Sequence, residues 1–263
     1  MRTEPEYSIV ERNLRATMRF FGQASGSGDI QERDGVLLID SGVDYAVFNM
    51  VLLTSPVATR AELEGRIAAA ADYFRRRGAR WSFWLCEDLL DGPVRCNFDP
   101  IFESRRLRRL TEAPGMLADR LAPPTRRLPA IESRKVRDRQ TRCDFTQITS
   151  LNFEIPYSTC RLIYEQERAW DFDYKGYVGY LNGRAVATVA VVVAEGAAGV
   201  YSVSTLPAYR RRGYAEALMR DALSDCVRAT GIERTILQAT RAGYAMYQKM
   251  GYREVTRFSV YIT

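Results

Sequence analysis

The residues best placed to do chemistry run from Val203 to Leu218. Val203, Ser204 and Thr205 form a strand end, Pro207 breaks it, Arg210, Arg211 and Arg212 follow, and Gly213-Tyr214-Ala215-Glu216 opens a helix. The first N–H groups of a helix have no intrahelical partner, and with the helix dipole they attract anionic oxygens. A glycine there lets the backbone approach where a side chain would collide, and Ala215 is small for the same reason. The chemistry expected is binding of a phosphate or pyrophosphate, with the arginines as added cationic donors. No Gly-Lys-Ser/Thr follows, as a P-loop requires, and a dinucleotide fingerprint would need two more glycines. The bland alternative is an ordinary basic strand-to-helix turn, against which the order of strand, proline, Arg210, Gly213 and Ala215 argues.

Composition limits the remaining chemistry. The chain has no histidine, so Ser-His-Asp and Cys-His machinery and imidazole metal sites are excluded. Its five cysteines, Cys86, Cys96, Cys143, Cys160 and Cys226, are scattered without a Cys-x-x-Cys pair. No metal is expected, and a reducing cytoplasm is the expected location. The 38 Lys and Arg against 32 Asp and Glu give +6, which suits an anionic ligand and falls short of a dedicated nucleic-acid binder. The apolar run Ala185 to Ala194 is too short to span a bilayer, and no leader pattern is visible, so a soluble protein is expected.

The elements that must position the turn follow from periodicity. Helices are predicted over Glu4–Phe21, Thr59–Arg77, Pro100–Leu110, Asp144–Asn152, Pro156–Ala169, Gly213–Thr230 and Arg241–Met250. Thr59 should cap its helix and Gly78 stop it. Strands are predicted over Val36–Ile39, Tyr45–Leu53, Trp81–Leu85, Met116–Leu121, Tyr177–Leu181, Arg184–Glu195, Gly199–Thr205, Thr235–Ala239 and Arg253–Tyr261. Asn182-Gly183 marks a tight hairpin. The proline- and arginine-rich stretch from Leu121 to Gln140 reads as a linker, dividing the chain into residues 1–127 and 128–263. Its positive charge is read as a solvated strap in preference to a nucleic-acid contact.

From Arg134 to Thr263 the sequence resembles the GNAT superfamily of N-acetyltransferases, whose Arg/Gln-x-x-Gly-x-Gly/Ala motif is met by Arg210-Arg211-Arg212-Gly213-Tyr214-Ala215. A second signature, Ala242-Gly243-Tyr244-Ala245-Met246-Tyr247-Gln248-Lys249-Met250-Gly251-Tyr252, agrees in order and distance. The resemblance implies an α/β (α+β) fold, with a mixed, mostly antiparallel sheet flanked by helices. It implies that acetyl-CoA is the co-substrate, its pyrophosphate held by the turn and its pantetheine arm and carbonyl along Val203, Ser204 and Thr205. Arg210, Arg211, Arg212, Gly213, Tyr214, Ala215, Glu216, Thr240 and Tyr244 are the further cofactor residues it suggests. Relatives often carry Asn where this chain has Thr240.

The resemblance also implies that Tyr247 protonates the departing thiolate, the alternative being that it packs, as Tyr252 is expected to do. With no histidine the base must be a carboxylate or a water chain, and Glu154, Glu167 and Glu195 are the available candidates, the first two in or beside the helices that line the acceptor site in relatives. Glu195 is expected to face solvent, and Cys226 to pack. Residues 1–127 lack the motif and resemble a degenerate GNAT-like domain that closes the acceptor pocket. The function implied is transfer of an acetyl group to a primary amine, on a small molecule or a peptide, in a ternary complex. The alternative is an acyl-CoA sensor or interaction module without turnover. A monomer and a homodimer are both compatible with the sequence.

Overall fold

Val10, Leu14, Met18 and Phe21 recur on one face and are buried, so the chain opens with a helix, α1 (Glu6–Ala24). The computed structural model describes residues 4–171 and 173–263. After α1 come β1 (Asp29–Arg33), β2 (Val36–Asp40), β3 (Met50–Leu53), α2 (Arg60–Arg77) and β4 (Ser82–Cys86). Then follow α3 (Gly92–Cys96), α4 (Asp99–Ser104), β5 (Arg108–Ala118), β6 (Glu132–Lys135), α5 (Arg139–Phe153) and α6 (Tyr157–Tyr164). The remainder is β7 (Lys175–Leu181), β8 (Arg184–Ala194), β9 (Ala197–Thr205), α7 (Tyr214–Thr230), β10 (Thr235–Gln238), α8 (Tyr244–Lys249) and β11 (Arg253–Ile262).

Among the described residues the strands form one 11-stranded sheet ordered β1-β2-β3-β4-β11-β5-β10-β9-β8-β7-β6. Among these named strands pairing is antiparallel except for β3 with β4 and β9 with β10, which are parallel. Each parallel pair is joined by a helix, α2 or α7, so the architecture of residues 128–263 is echoed in residues 1–127. The halves also exchange strands. β11 lies between β4 and β5, and β5 lies between β11 and β10. The Tyr261 ring of β11 stacks on Phe102 of α4, centroids 3.9 Å apart and 4° from parallel, fastening the C-terminal strand to the first half.

Alternation along β8 divides the core. Ala190 and Val192 join the cluster with α1, α5 and α6, whereas Val189 and Val191 join that of α7 and α8. Helix α1 therefore covers the same sheet face as α5 and α6. Its Asn13 is fully buried there: Nδ2 donates to Ala194 O and Ala197 O at 2.8 and 2.9 Å, and Oδ1 accepts from Tyr201 Oη at 2.8 Å.

Several predicted boundaries are corrected. The helix expected over Pro100–Leu110 ends at Ser104, and Arg106 turns with a positive φ into β5. The β-rich stretch from Tyr45 contains a 3-10 turn at Ala46–Phe48 before β3, and the second acceptor-side helix stops at Tyr164, with a 3-10 turn at Glu167–Trp170. Within the linker, Glu132–Lys135 pairs with β7 as an edge strand. Helix α5 begins at Arg139 because Asp138 and Thr141 form a reciprocal capping box. The polar strand β1 and the short α3 had no hydrophobic period to betray them.

Candidate active site

The sheet opens at one place beside α7. β9 and β10 pair from Ala198↔Thr235 to Val200↔Leu237, whereas β9 continues against β8 as far as Thr205↔Ala187. From Tyr201 onward, then, no strand among the described residues pairs with the outer edge of β9. The β8–β9 register shifts between Thr188 and Ala190, and Ser202 has φ +49°, the left-handed region that a non-glycine residue rarely adopts. Thr188 Oγ1 donates to Ser202 O at 2.9 Å, and the Tyr174 and Ser202 hydroxyls lie 2.7 Å apart, so this bulge is held from both sides. Strain held in this way accumulates at functional sites. Ser204 Oγ, Thr205 Oγ1 and Gln238 Nε2 are buried here without hydrogen-bond partners, polar capacity that a ligand between the strands would use.

At the end of β9 the chain turns through Pro207–Tyr209 into α7. Gly213 is the N-cap with φ +93°, and no side chain caps the helix. The amides of its first turn are therefore left for an external acceptor. Arg211 also has a positive φ, +60°. Arg210 plays a different part: its Nε donates to Thr205 O at 3.0 Å and its Nη2 to Asn152 Oδ1 at 2.8 Å, tying the turn to the end of α5. Arg211 and Arg212 are exposed, and Glu216 pairs along the helix with Arg220 at 2.9 Å.

The equivalent corner of the first half is built differently. Helix α2 carries a full capping box, in which Thr59 accepts from the Glu62 amide and Glu62 accepts from the Thr59 amide. Val57 bridges in parallel to Leu90, with Val57 N donating to Leu89 O at 2.8 Å and Asp91 N donating to Val57 O at 2.9 Å. The capping box satisfies the Glu62 amide from within the chain, and the Val57–Leu90 bridge joins the backbone at the corner corresponding to the open edge of β9.

Helix α8 carries Tyr247, which is buried against Gly243 and meets Tyr252 edge-on at 5.9 Å. Burial pushes the Tyr247 phenol well above its ordinary value, so it holds its proton at neutral pH. The Tyr252 hydroxyl lies 2.9 Å from Thr235 Oγ1, a packing role. Thr240 spends its hydroxyl locally, accepting from Gly243 N at 3.3 Å, and Tyr244 Oη donates to Glu254 at 3.3 Å. Cys226 is buried, and burial raises its thiol.

The two carboxylates singled out as bases lie apart. Glu154 is the left-handed C-cap of α5, exposed beside the corner that holds Arg210. Glu167 is 83% exposed, 4.0 Å from Arg142. Glu195 is paired with Arg12 of α1 at 2.8 Å. Sequence reasoning missed Asn13, Ser202, Tyr174 and Gln238. Only Asn13, a polar residue on the apolar stripe of α1, left a signal in the sequence.

Residues 143–252 match the acetyltransferase (GNAT) family. Most of the chain superposes on GNAT structures. A GCN5-related N-acetyltransferase from Kribbella flavida aligns with TM-score 0.68 at 18% identity, over 95% of this chain and 94% of that one. An acetyltransferase-like GNAT structure from Novosphingobium aromaticivorans gives TM-score 0.55 at 17% identity, over 92% and 97%. A tandem GNAT protein from the clavulanic acid biosynthesis pathway gives 0.57 at 11% identity, over 87% and 78%. At such identities the likeness is one of fold. No curated protein sequence matches the chain. The GNAT fold thus extends over both halves, and the family match lies in the second.

Proposed function

We propose that this chain is an acyl-CoA-dependent N-acyltransferase that moves acetyl from acetyl-CoA to a primary amine within a ternary complex. The observation that carries the reading is the juxtaposition of the free β9 edge, Tyr201 to Thr205, with the uncapped N-terminus of α7 at Gly213. Backbone amides of residues 211–216 take the pyrophosphate, Val203 to Thr205 take the pantetheine arm and the thioester carbonyl, and Tyr214 and Ala215 line the approach.

The amine nitrogen attacks the thioester carbonyl, the new C–N bond forms, and the C–S bond breaks. Tyr247, kept protonated by burial, gives its proton to the departing thiolate. The amine's proton goes to a carboxylate directly or through water. For that role Glu154 stands ahead of Glu167, because its corner is joined through Asn152 and Arg210 to the end of β9. Thr240 and Tyr244 flank the thiol end, and no metal takes part.

The division proposed is 1–127, closing the acceptor side without a cofactor site, and 128–263, carrying one active site. The capping box on α2 and the Val57–Leu90 bridge support a single site per chain. A cytoplasmic location suits the five free thiols. Incubating the purified protein with acetyl-CoA and a panel of amines, amino acids and peptides, and measuring released CoA thiol, tests the reading. Thiol release that depends on an acceptor is expected. Tight CoA binding with no release for any acceptor would leave the sensor reading standing instead.

A further inference from the structure

The linker does more than join the halves. Its path is pinned before and after the α7 N-terminus. On one side Ala122 N donates to Met250 O at 2.8 Å, and Arg220 Nη1 of α7 donates to Ala122 O at 2.8 Å. On the other, Ile131 packs on the second core, so close to Gly179 that a Cβ there would lie 2.5 Å from Ile131 Cδ1. Between these anchors Pro123, Pro124 and Pro129 restrict the backbone. The strap is thereby laid across Gly213: a Cβ on that residue would lie 3.0 Å from Arg126 Nη2 and 3.1 Å from Pro129 Cδ.

Among the described residues Arg126 makes no hydrogen bond, ion pair or ring contact. Arg210 and Arg220 are committed, the first to Thr205 and Asn152 and the second to Glu216 and Ala122; Arg211 and Arg212 belong to the turn itself, so Arg126 is set apart by reaching Gly213 from the strap. A guanidinium lying beside uncapped helix amides offers a planar fork of donors suited to phosphate oxygens. We infer that Arg126 is a pyrophosphate ligand, so that the interdomain strap forms one wall of the cofactor site. This rests on the acyl-CoA reading above, and it gives the strap arginine a specific function where the sequence suggested only solvation.

The inference is tested by calorimetric titration of CoA and 3′-dephospho-CoA into the wild-type protein, Arg126→Gln and Arg127→Gln. A charge-assisted contact to phosphate is worth about tenfold in affinity. Arg126→Gln is expected to weaken both ligands about tenfold and equally, because both carry the pyrophosphate. Arg127→Gln, which removes the same charge one residue along, is expected to leave both within about twofold. Arg126→Lys should recover part of the loss. Unchanged affinity in Arg126→Gln, or an equal loss in Arg127→Gln, would overturn the inference. A loss for CoA alone would move the contact to the 3′-phosphate and overturn it also. Failure of the wild-type protein to bind either ligand would instead sink the acyl-CoA reading beneath it. Arg126 is exposed, so the variants should fold, and unchanged melting curves in the absence of ligand would show that they do.

Discussion

At the scale of single residues, Tyr247 is buried, and among the described residues none hydrogen-bonds its hydroxyl in a way that would favour ionisation. Replacement by Phe keeps the packing against Gly243 and Tyr252 and removes only the proton donor. Steady-state kinetics of Tyr247→Phe should show kcat reduced by about 10²-fold with CoA affinity unchanged; a kcat within a factor of two of wild type would remove Tyr247 from the mechanism. Glu11 makes a second prediction. It is buried on α1 beside Arg15 at 2.9 Å, and burial, opposed by Arg15 and Arg12, lifts its carboxyl from 4.5 to about 7. Between those two values the unfolded chain has released the proton and the folded one has not, so folding stability falls as pH rises through that window. Denaturant titrations from pH 4.5 to 8 should show wild type losing about 1–3 kcal/mol that Glu11→Gln does not lose. Parallel pH curves for the two proteins would contradict it.

At the scale of elements, α2 and α7 begin in opposite ways, and their sequences show it. Thr59-x-x-Glu62 is a local capping pattern, readable from four residues, and Gly213 after three arginines is an equally local signal for an open start. Such signals survive because they depend on near neighbours. β5 was misread for the opposite reason: Pro114 and Gly115 sit mid-strand, where a sequence argues against sheet. Gly115 is required because a Cβ there would lie 2.3 Å from Thr256 Cγ2 and 2.9 Å from Phe258 Cε2. Those neighbours lie on β11, far away in sequence and invisible to a local pattern. The contrast between the helices predicts separable losses. Thr59→Ala should cost about 1 kcal/mol of stability and leave CoA binding intact. Gly213→Ala forces a Cβ into the left-handed region beside Arg126 and Pro129, and should lower CoA affinity in titration calorimetry as well as the melting temperature. Equal CoA affinity in Gly213→Ala and wild type would show that the turn is not the anion site.

At the scale of the molecule, the second half was legible in order and type because its hairpin, phosphate turn and final strand each carry their own signal. The joining of the halves was not. A linker read from Pro123-Pro124 and the arginines implies two units that could separate, whereas β5 and β11 cross between them. Exchange of this kind makes each half a structural partner of the other. Scanning calorimetry should therefore give one unfolding transition, and two well-resolved transitions would show that the halves unfold independently.

The exchange also sets an order for folding during synthesis. β4 leaves the ribosome with one edge unfilled, and the strand that fills it holds Thr256, 170 residues beyond Cys86. Until β11 is made, the first half carries an open sheet edge of Ser82–Cys86 and a Phe102 ring packed on Phe83 but lacking the Tyr261 stack, both of which invite contact with other nascent chains. Slow translation across the linker would not help this protein, since neither half holds its full set of strands when the first emerges. Its chaperone dependence should fall on the interval between β5 and β11, and a fragment supplying residues 253–262 in trans is the reagent that would shorten it.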